Sequence, residues 1–241
     1  MRDADSLELI ATMMAATDAD DLWGRINEAA ASLGFERALV GVQVHVPGMD
    51  PIQHVMSGWP EQYQLIYAER DYVMRDPTVA HCQTSTAPII WTPEIYPRES
   101  LEVLEESRRF GLNHGLSVAV HGRSRTKSML SLARDQRFDG DPRETERVLA
   151  GARVLATCAH MALENLLVPR LVEEEFPTKL TPRESEIMQY VANGKGSEVI
   201  GDILGLSKAT VEFHVKNMLR KLGVASRLQG VARAVALGLV H

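Results

Sequence analysis

Cysteines, aromatic residues and long apolar runs are all scarce in this chain. Two cysteines, Cys82 and Cys158, provide neither a disulfide framework nor metal-ligand spacing, so a reducing cytoplasm is the expected location. No apolar stretch approaches the roughly 18 residues that a membrane span needs. The opening MRDADSLELI lacks the basic start and apolar run of a signal peptide. There is no Gly-rich phosphate loop, no nucleophile elbow, no internal repeat and no low-complexity tract. His81-Cys82, His114 and His121 are too scattered for a metal site. Asp139-Gly140-Asp141-Pro142 reads as a loop and helix cap rather than a calcium loop. No catalytic residue, metal or cofactor is expected.

The apolar fraction, 45% of 241 residues, is enough for a proper core and for one large or two modest domains. The net charge of −6 is unevenly spread. From Thr178 onward there are nine Lys/Arg and five Asp/Glu, while the preceding residues carry 17 and 27. A mildly basic small domain after an acidic larger one fits a DNA-binding tail on a soluble sensor.

Ser207 to Val224 carries the clearest pattern. Val211, Val215, Met218 and Leu222 form one apolar stripe at helical spacing, and Ala209, Phe213, Lys216 and Arg220 collect opposite it. Ser207 is a good N-cap. Upstream, Thr181 and Glu184 form a capping box with Pro182 at the first helical position, and Gly194 closes that helix. A short helix from Glu198 to Leu204, apolar at Ile200, Ile203 and Leu204, ends at Gly205. A last helix runs from Arg227 to Leu237. Two short helices around a tight Gly-containing turn, the second polar outward, are the pattern of a helix-turn-helix.

This segment resembles the DNA-binding domain of LuxR-type regulators through Leu180, Thr181, Arg183, Glu184, Gly194, Ser207, Thr210, Val211, His214, Lys221, Leu222, Ser226 and Arg227. It departs from that pattern at Met188, where Leu is usual, and at Val199, where Glu is common. The resemblance implies that Glu212, Phe213 and Lys216 face base edges, and that Lys208, Thr210, Arg220 and Lys221 hold phosphates. The implied partner is double-stranded DNA with an inverted-repeat site, bound by a homodimer.

The N-terminal part alternates helix and strand signals. Helices are expected over about 6–15, 18–33, 60–69, 98–110 and 142–167, and strands over 38–46, 52–56, 87–91, 115–122 and 128–135. Asp76 before Pro77 reads as an N-cap. The fold class is α+β: an N-terminal α/β/α sandwich on a mainly antiparallel sheet (residues 1–167), a linker over 168–177, and a four-helix helix-turn-helix domain over 178–241.

For a chain only 5% aromatic, residues 59–91 are dense in Tyr and Trp. Such a cluster is either core packing or a pocket whose aromatic walls hold an apolar ligand oriented by a few polar tips. Tyr67, Asp76-Pro77, Pro88-Ile89-Ile90-Trp91 and Gly115 resemble the autoinducer-binding domain of the acyl-homoserine lactone receptors in the LuxR family. The resemblance implies a ligand set of Trp59, Tyr63, Tyr67, Asp76, Thr78, Trp91 and Ser131. Asp76 would accept the ligand's amide N–H, Tyr67 and Ser131 would bond its acyl carbonyl, and Trp91 would pack on the lactone ring. The family pattern Tyr-Pro-x-x-Trp-x-x-x-Tyr stands here as Trp59-Pro60-Glu61-Gln62-Tyr63-Gln64-Leu65-Ile66-Tyr67, so the lactone-carbonyl donor would be the Tyr63 hydroxyl.

The expected function is a ligand-responsive, DNA-binding transcription regulator in the bacterial cytoplasm that senses an N-acyl-homoserine lactone in quorum sensing. A receptor of the same family for a non-lactone molecule is the alternative. An enzyme using Asp76 as a base lacks a second catalytic group. A phosphorylated response regulator lacks an acidic phosphoacceptor cluster in the first fifty residues.

Overall fold

The structure, a computed structural model, describes residues 3–46, 48–122, 126–138, 141–177 and 179–240, with side chains from residue 8 onward. The described chain divides into two compact units, residues 1–43 with 53–169 and residues 44–52 with 170–241. Among the described residues no helix is long and apolar enough to cross a membrane.

The first unit is built on an antiparallel five-stranded sheet, ordered β2-β1-β5-β4-β3. Its strands are β1 (Arg37–Val44), β2 (Ile52–Ser57), β3 (Ile89–Ile90), β4 (His114–His121) and β5 (Thr126–Arg134). Alternation along β1 sends Ala38, Val40, Val42 and Val44 into the core and leaves Leu39, Gly41 and Gln43 on the other face. Strand β3 holds only Ile89 and Ile90, although Ala87 to Trp91 reads as strand. Trp91 still donates its backbone N–H to Gly115 O at 2.8 Å, so the chain continues extended past the last ladder pair.

One face of the sheet is covered by α1 (Asp3–Met14), α2 (Ala19–Ser32) and α6 (Pro142–Leu166). Helix α2 starts at the Asp18 cap, whose carboxylate accepts the Asp21 N–H, and is stopped by Gly34 at φ +86°. It buries Leu22, Ile26 and Ala30; each large aliphatic side chain removed from water stabilises by about 1.5–3 kcal/mol. Helix α1 is less embedded than its apolar content implies: Met13 is buried, but Ile10 and Met14 are exposed. Helix α6 starts on Asp141, which caps Arg143 N; Asp139 and Gly140 lie outside the described residues. A buried bond between His160 Nδ1 and Ser128 Oγ at 2.8 Å ties α6 to β5.

Over the other face lie α3 (Glu61–Glu69), α4 (Pro77–Thr84) and α5 (Leu101–Arg109). Residues 98–100 form a 3-10 turn ahead of α5. Tyr72 is fully buried, and its hydroxyl accepts from Arg70, whose guanidinium also pairs with Glu102 at 2.5 Å. Helix α7 (Val168–Glu175) follows α6, so the segment read as a linker is mostly helical.

The second unit contains α8 (Pro182–Ala192), α9 (Ser197–Leu204), α10 (Lys208–Lys221) and α11 (Arg227–Ala236) around a core of Ile187, Met188, Ile200, Val211, Val215, Met218 and Ala234. Gly205, at φ +65°, ends α9. A Cβ on Gly201 would lie 2.6 Å from Leu206 O, so glycine there lets the turn fold back onto α9. The apolar stripe assigned to α9 needs one correction. Ile200 is buried and Leu204 half-buried, but Ile203 is 49% exposed, because the Ile200–Leu204 row faces the core and turns position 203 outward with Val199.

Candidate functional site

A cavity of about 360 Å³ lies between the sheet and α3–α5. Trp59, Tyr63, Tyr67, Asp76, Thr78, Trp91 and Ser131 all line it. Tyr63 and Tyr67, one helical turn apart on α3, meet edge to face at 5.8 Å, and Trp59 meets Trp91 edge to face at 6.1 Å. These residues share one cluster with Leu112, Ala133 and Phe110.

Asp76 is the polar centre of the wall. Its Oδ1 accepts the backbone N–H of Thr78 at 2.8 Å and the Thr78 hydroxyl at 2.7 Å, which caps α4. Its Oδ2 accepts the Tyr67 hydroxyl at 3.0 Å. Burial raises the Asp76 carboxyl above the usual carboxylate range, against the lowering effect of these bonds. Burial, reinforced by the Asp76 charge, likewise raises the phenols of Tyr63 and Tyr67 and pushes the Cys82 thiol up to about 12. All three are therefore neutral donors near neutral pH. Among the described residues the Tyr63 hydroxyl has no hydrogen-bond partner.

A second polar chain runs from Trp91, just past β3, to β4 and β5. The Trp91 indole N–H donates to Ser117 Oγ at 3.0 Å, and Ser117 Oγ lies 2.9 Å from Ser131 Oγ. If Ser117 passes its one proton to Ser131, the Ser131 proton is left for the cavity. The indole N–H is thus used inside the wall, and Trp91 offers the cavity its face. Gly115 makes this possible: a Cβ there would lie 2.5 Å from the Trp91 ring and from Leu132 O.

The sequence reading missed Gln43, Gln53, Gln83 and Lys127, which also line the cavity. Strand alternation from Leu39 and from Ser131 puts positions 43 and 127 on the correct face, but which face bounds a cavity is a tertiary fact.

In the second unit, α10 buries Val211, Val215 and Met218, and exposes Lys208, Glu212, Phe213, Lys216 and Arg220. Phe213 is 62% exposed, unusual for an aromatic without a partner surface. The Ser207 hydroxyl accepts the Thr210 N–H at 3.1 Å and lies 2.8 Å from the Thr210 hydroxyl. Lys221 donates to Glu184 Oε2 at 2.6 Å. Glu184 closes the capping box of α8 by accepting Thr181 N–H at 2.8 Å, so one buried carboxylate joins the start of α8 to the end of α10. Burial opposes the charge on Glu184, yet the Lys221 ammonium and Thr181 hold its carboxyl below the ordinary value.

A model of the autoinducer binding domain matches residues 18–163, and one of bacterial regulatory proteins of the luxR family matches residues 178–234. The chain belongs to the LuxR family of autoinducer-binding regulators. This LuxR-type chain is 30% identical to the transcriptional activator protein AnoR of Acinetobacter nosocomialis, covering 97% of this chain and 98% of AnoR. It is 33% identical to the transcriptional activator protein SolR of Ralstonia nicotianae, covering 93% of this chain and 94% of SolR. Among solved structures, Escherichia coli SdiA is similar in fold, with a TM-score of 0.76 at 24% identity over 98% of both chains. The acyl-homoserine lactone-dependent factor CepR2 of Burkholderia cenocepacia is similar at TM-score 0.57 and 24% identity, over 69% of this chain and 99% of that one. As a LuxR-type regulator the protein binds an autoinducer and DNA and acts in quorum-sensing transcription; its relatives are regulators.

Proposed function

We propose that the autoinducer is an N-acyl-homoserine lactone, held with its amide against Asp76. The observation that carries this reading is a carboxylate fixed by Thr78 and Tyr67 beside the aromatic wall of the cavity. An amide N–H buried in such a site needs a strong acceptor, and a carboxylate makes a charge-assisted bond. Tyr67 and Ser131 donate to the acyl carbonyl, Tyr63 donates to the lactone carbonyl, and Trp59 and Trp91 wall the ring. The ligand is bound without turnover, in keeping with relatives that are transcriptional regulators. Residues 1–167 form the ligand-binding domain, 168–177 the linker and 178–241 the DNA-binding domain of a cytoplasmic protein.

On DNA, a homodimer reads an inverted repeat. Glu212, Phe213 and Lys216 face base edges, where Lys suits guanine, Glu suits cytosine and an aromatic side chain suits the thymine methyl. Lys208, Thr210, Arg220 and Lys221 hold phosphates; an ammonium has three donors, so Lys221 can serve Glu184 and a phosphate together.

The test is thermal stabilisation of the purified chain by a panel of lactones, with mass spectrometry of the small molecule that co-purifies from cells. Stabilisation that grows with the logarithm of lactone concentration is the expected result. No stabilisation by any lactone up to its solubility limit overturns the reading in favour of a non-lactone receptor.

A further inference from the structure

The outer end of the cavity has a chemistry that a plain alkyl chain does not match. Along β5, the residues on the cavity face run Ser131, Met129, Lys127; along β1 they run Leu39, Gly41, Gln43; along β2, Ser57, Val55, Gln53. The bond from Gly58 N to Ala38 O, with Val55 as the nearest neighbour of Gly41, sets Gln43 across from Gln53. From the opposite layer, Gln83 of α4 bonds Gln43 Oε1 at 3.5 Å, and its backbone carbonyl accepts from Lys127 Nζ at 2.7 Å. Four long polar side chains from α4, β1, β2 and β5 therefore gather at one end of the cavity. Met129 and Val55 form an apolar stretch between that end and Ser131. Gln53 and Gln83 are exposed, so water reaches this end.

Lys127 spends one of its three donors on Gln83 O, and the glutamine amides both donate and accept. An alkyl terminus placed here would strip water from these groups and return no hydrogen bond. An oxygen function would take the place of that water. We infer that the acyl tail of the ligand ends in an oxygen function, a hydroxyl, carbonyl or carboxylate, bonded by Lys127 and Gln43. Lys127 and Ser131 lie four steps of extended strand apart, about 13 Å. The tail is thus of medium length, with its oxygen group remote from the amide. This inference rests on the reading that an N-acyl head group sits at Asp76.

The experiment uses the full-length protein and three homoserine lactones of equal medium tail length, ending in a methyl, a hydroxyl and a carboxylate. Affinities are read by titration for the wild type, Lys127→Met and the double variant Lys127→Met/Gln43→Leu. The oxygen-ended ligands are expected to bind the wild type about ten- to a hundredfold more tightly than the methyl-ended one, the scale of one hydrogen bond to a charged group. The double variant is expected to reverse that order. A methyl-ended ligand that binds the wild type as tightly as the others overturns the inference and leaves the lactone reading in place. So does an oxygen preference unchanged in Lys127→Met. Failure of all three to bind overturns both.

Discussion

The Tyr67 hydroxyl donates to Asp76 Oδ2 at 3.0 Å while Thr78 holds the other carboxylate oxygen. A phenol has one proton, so Tyr67 cannot serve Asp76 and a ligand carbonyl at once. An amide entering between them exchanges one bond for two: Tyr67 turns to the carbonyl and the amide N–H takes the vacated lone pair on Asp76. The bond seen here thus satisfies two polar groups until an amide replaces it.

Asp76→Ala should be poorly soluble or unresponsive to ligand. It removes a helix cap, worth about 1 kcal/mol, and leaves the ligand's N–H unpaired, at roughly 1–3 kcal/mol. Soluble expression, thermal melts and lactone titration check this. A soluble variant with a normal response would reduce Asp76 to a cap.

Lactone affinity should rise with pH through the carboxyl pKa of ligand-free Asp76. Burial lifts that pKa above the ordinary value, whereas an amide donor favours the charged form and lowers it in the complex. Binding is therefore weak while the free carboxyl is protonated and strengthens as it ionises. The ligand-free fold moves the opposite way: the contribution of Asp76 to stability is full below its unfolded pKa and is lost as pH rises through the raised value. Calorimetric titration between about pH 4.5 and 7, with Asp76→Asn as the flat control, reads the slope. An affinity that falls with rising pH contradicts the assignment.

Tyr63→Phe should lose about 0.5–1.5 kcal/mol of lactone affinity, more if the carbonyl is left unpaired. Tyr63→Trp restores an N–H donor but adds bulk beside Trp59. Ligand-dependent shifts in melting temperature for the three proteins decide whether the Tyr63 hydroxyl is the lactone donor. Equal shifts for wild type and Tyr63→Phe would remove it from that role.

The two lysines of α10 should behave differently. Lys216→Ala should cost about 1–3 kcal/mol on the target sequence and relax specificity, whereas Lys221→Ala should weaken all duplexes alike and reduce the salt slope by about one. Lys221→Ala should also lower the melting temperature, because it strands the buried Glu184 carboxylate, 5% exposed. Affinity for target and random duplexes across a salt series, with melts of each variant, tests both. Unchanged affinity and salt slope in both would remove α10 from the DNA contact.

The sequence made local features plain. Asp76 before Pro77, the Thr181–Glu184 box, Ser207 and the left-handed glycines Gly34 and Gly205 each fix a helix end through atoms a few residues apart. Strand alternation and helical spacing then gave the layers. What stayed hidden depends on distant partners. Lys221 meets Glu184 across 37 residues, and Lys127 meets Gln83 across 44. The Trp91–Ser117–Ser131 chain joins the residue just past β3 to β4 and β5. Ile203 reads as apolar, but only the packing of α9 turns it outward.

Gly115 touches no ligand in the proposed pose, yet a single methyl there would lie 2.5 Å from both the Trp91 ring and Leu132 O, so the indole that walls the cavity would have to shift. The volume offered to a signal is thus adjustable from outside the binding surface. A lineage shifting to a molecule of another size needs no change among the contacting residues, and a mutational library confined to those residues would never sample the route.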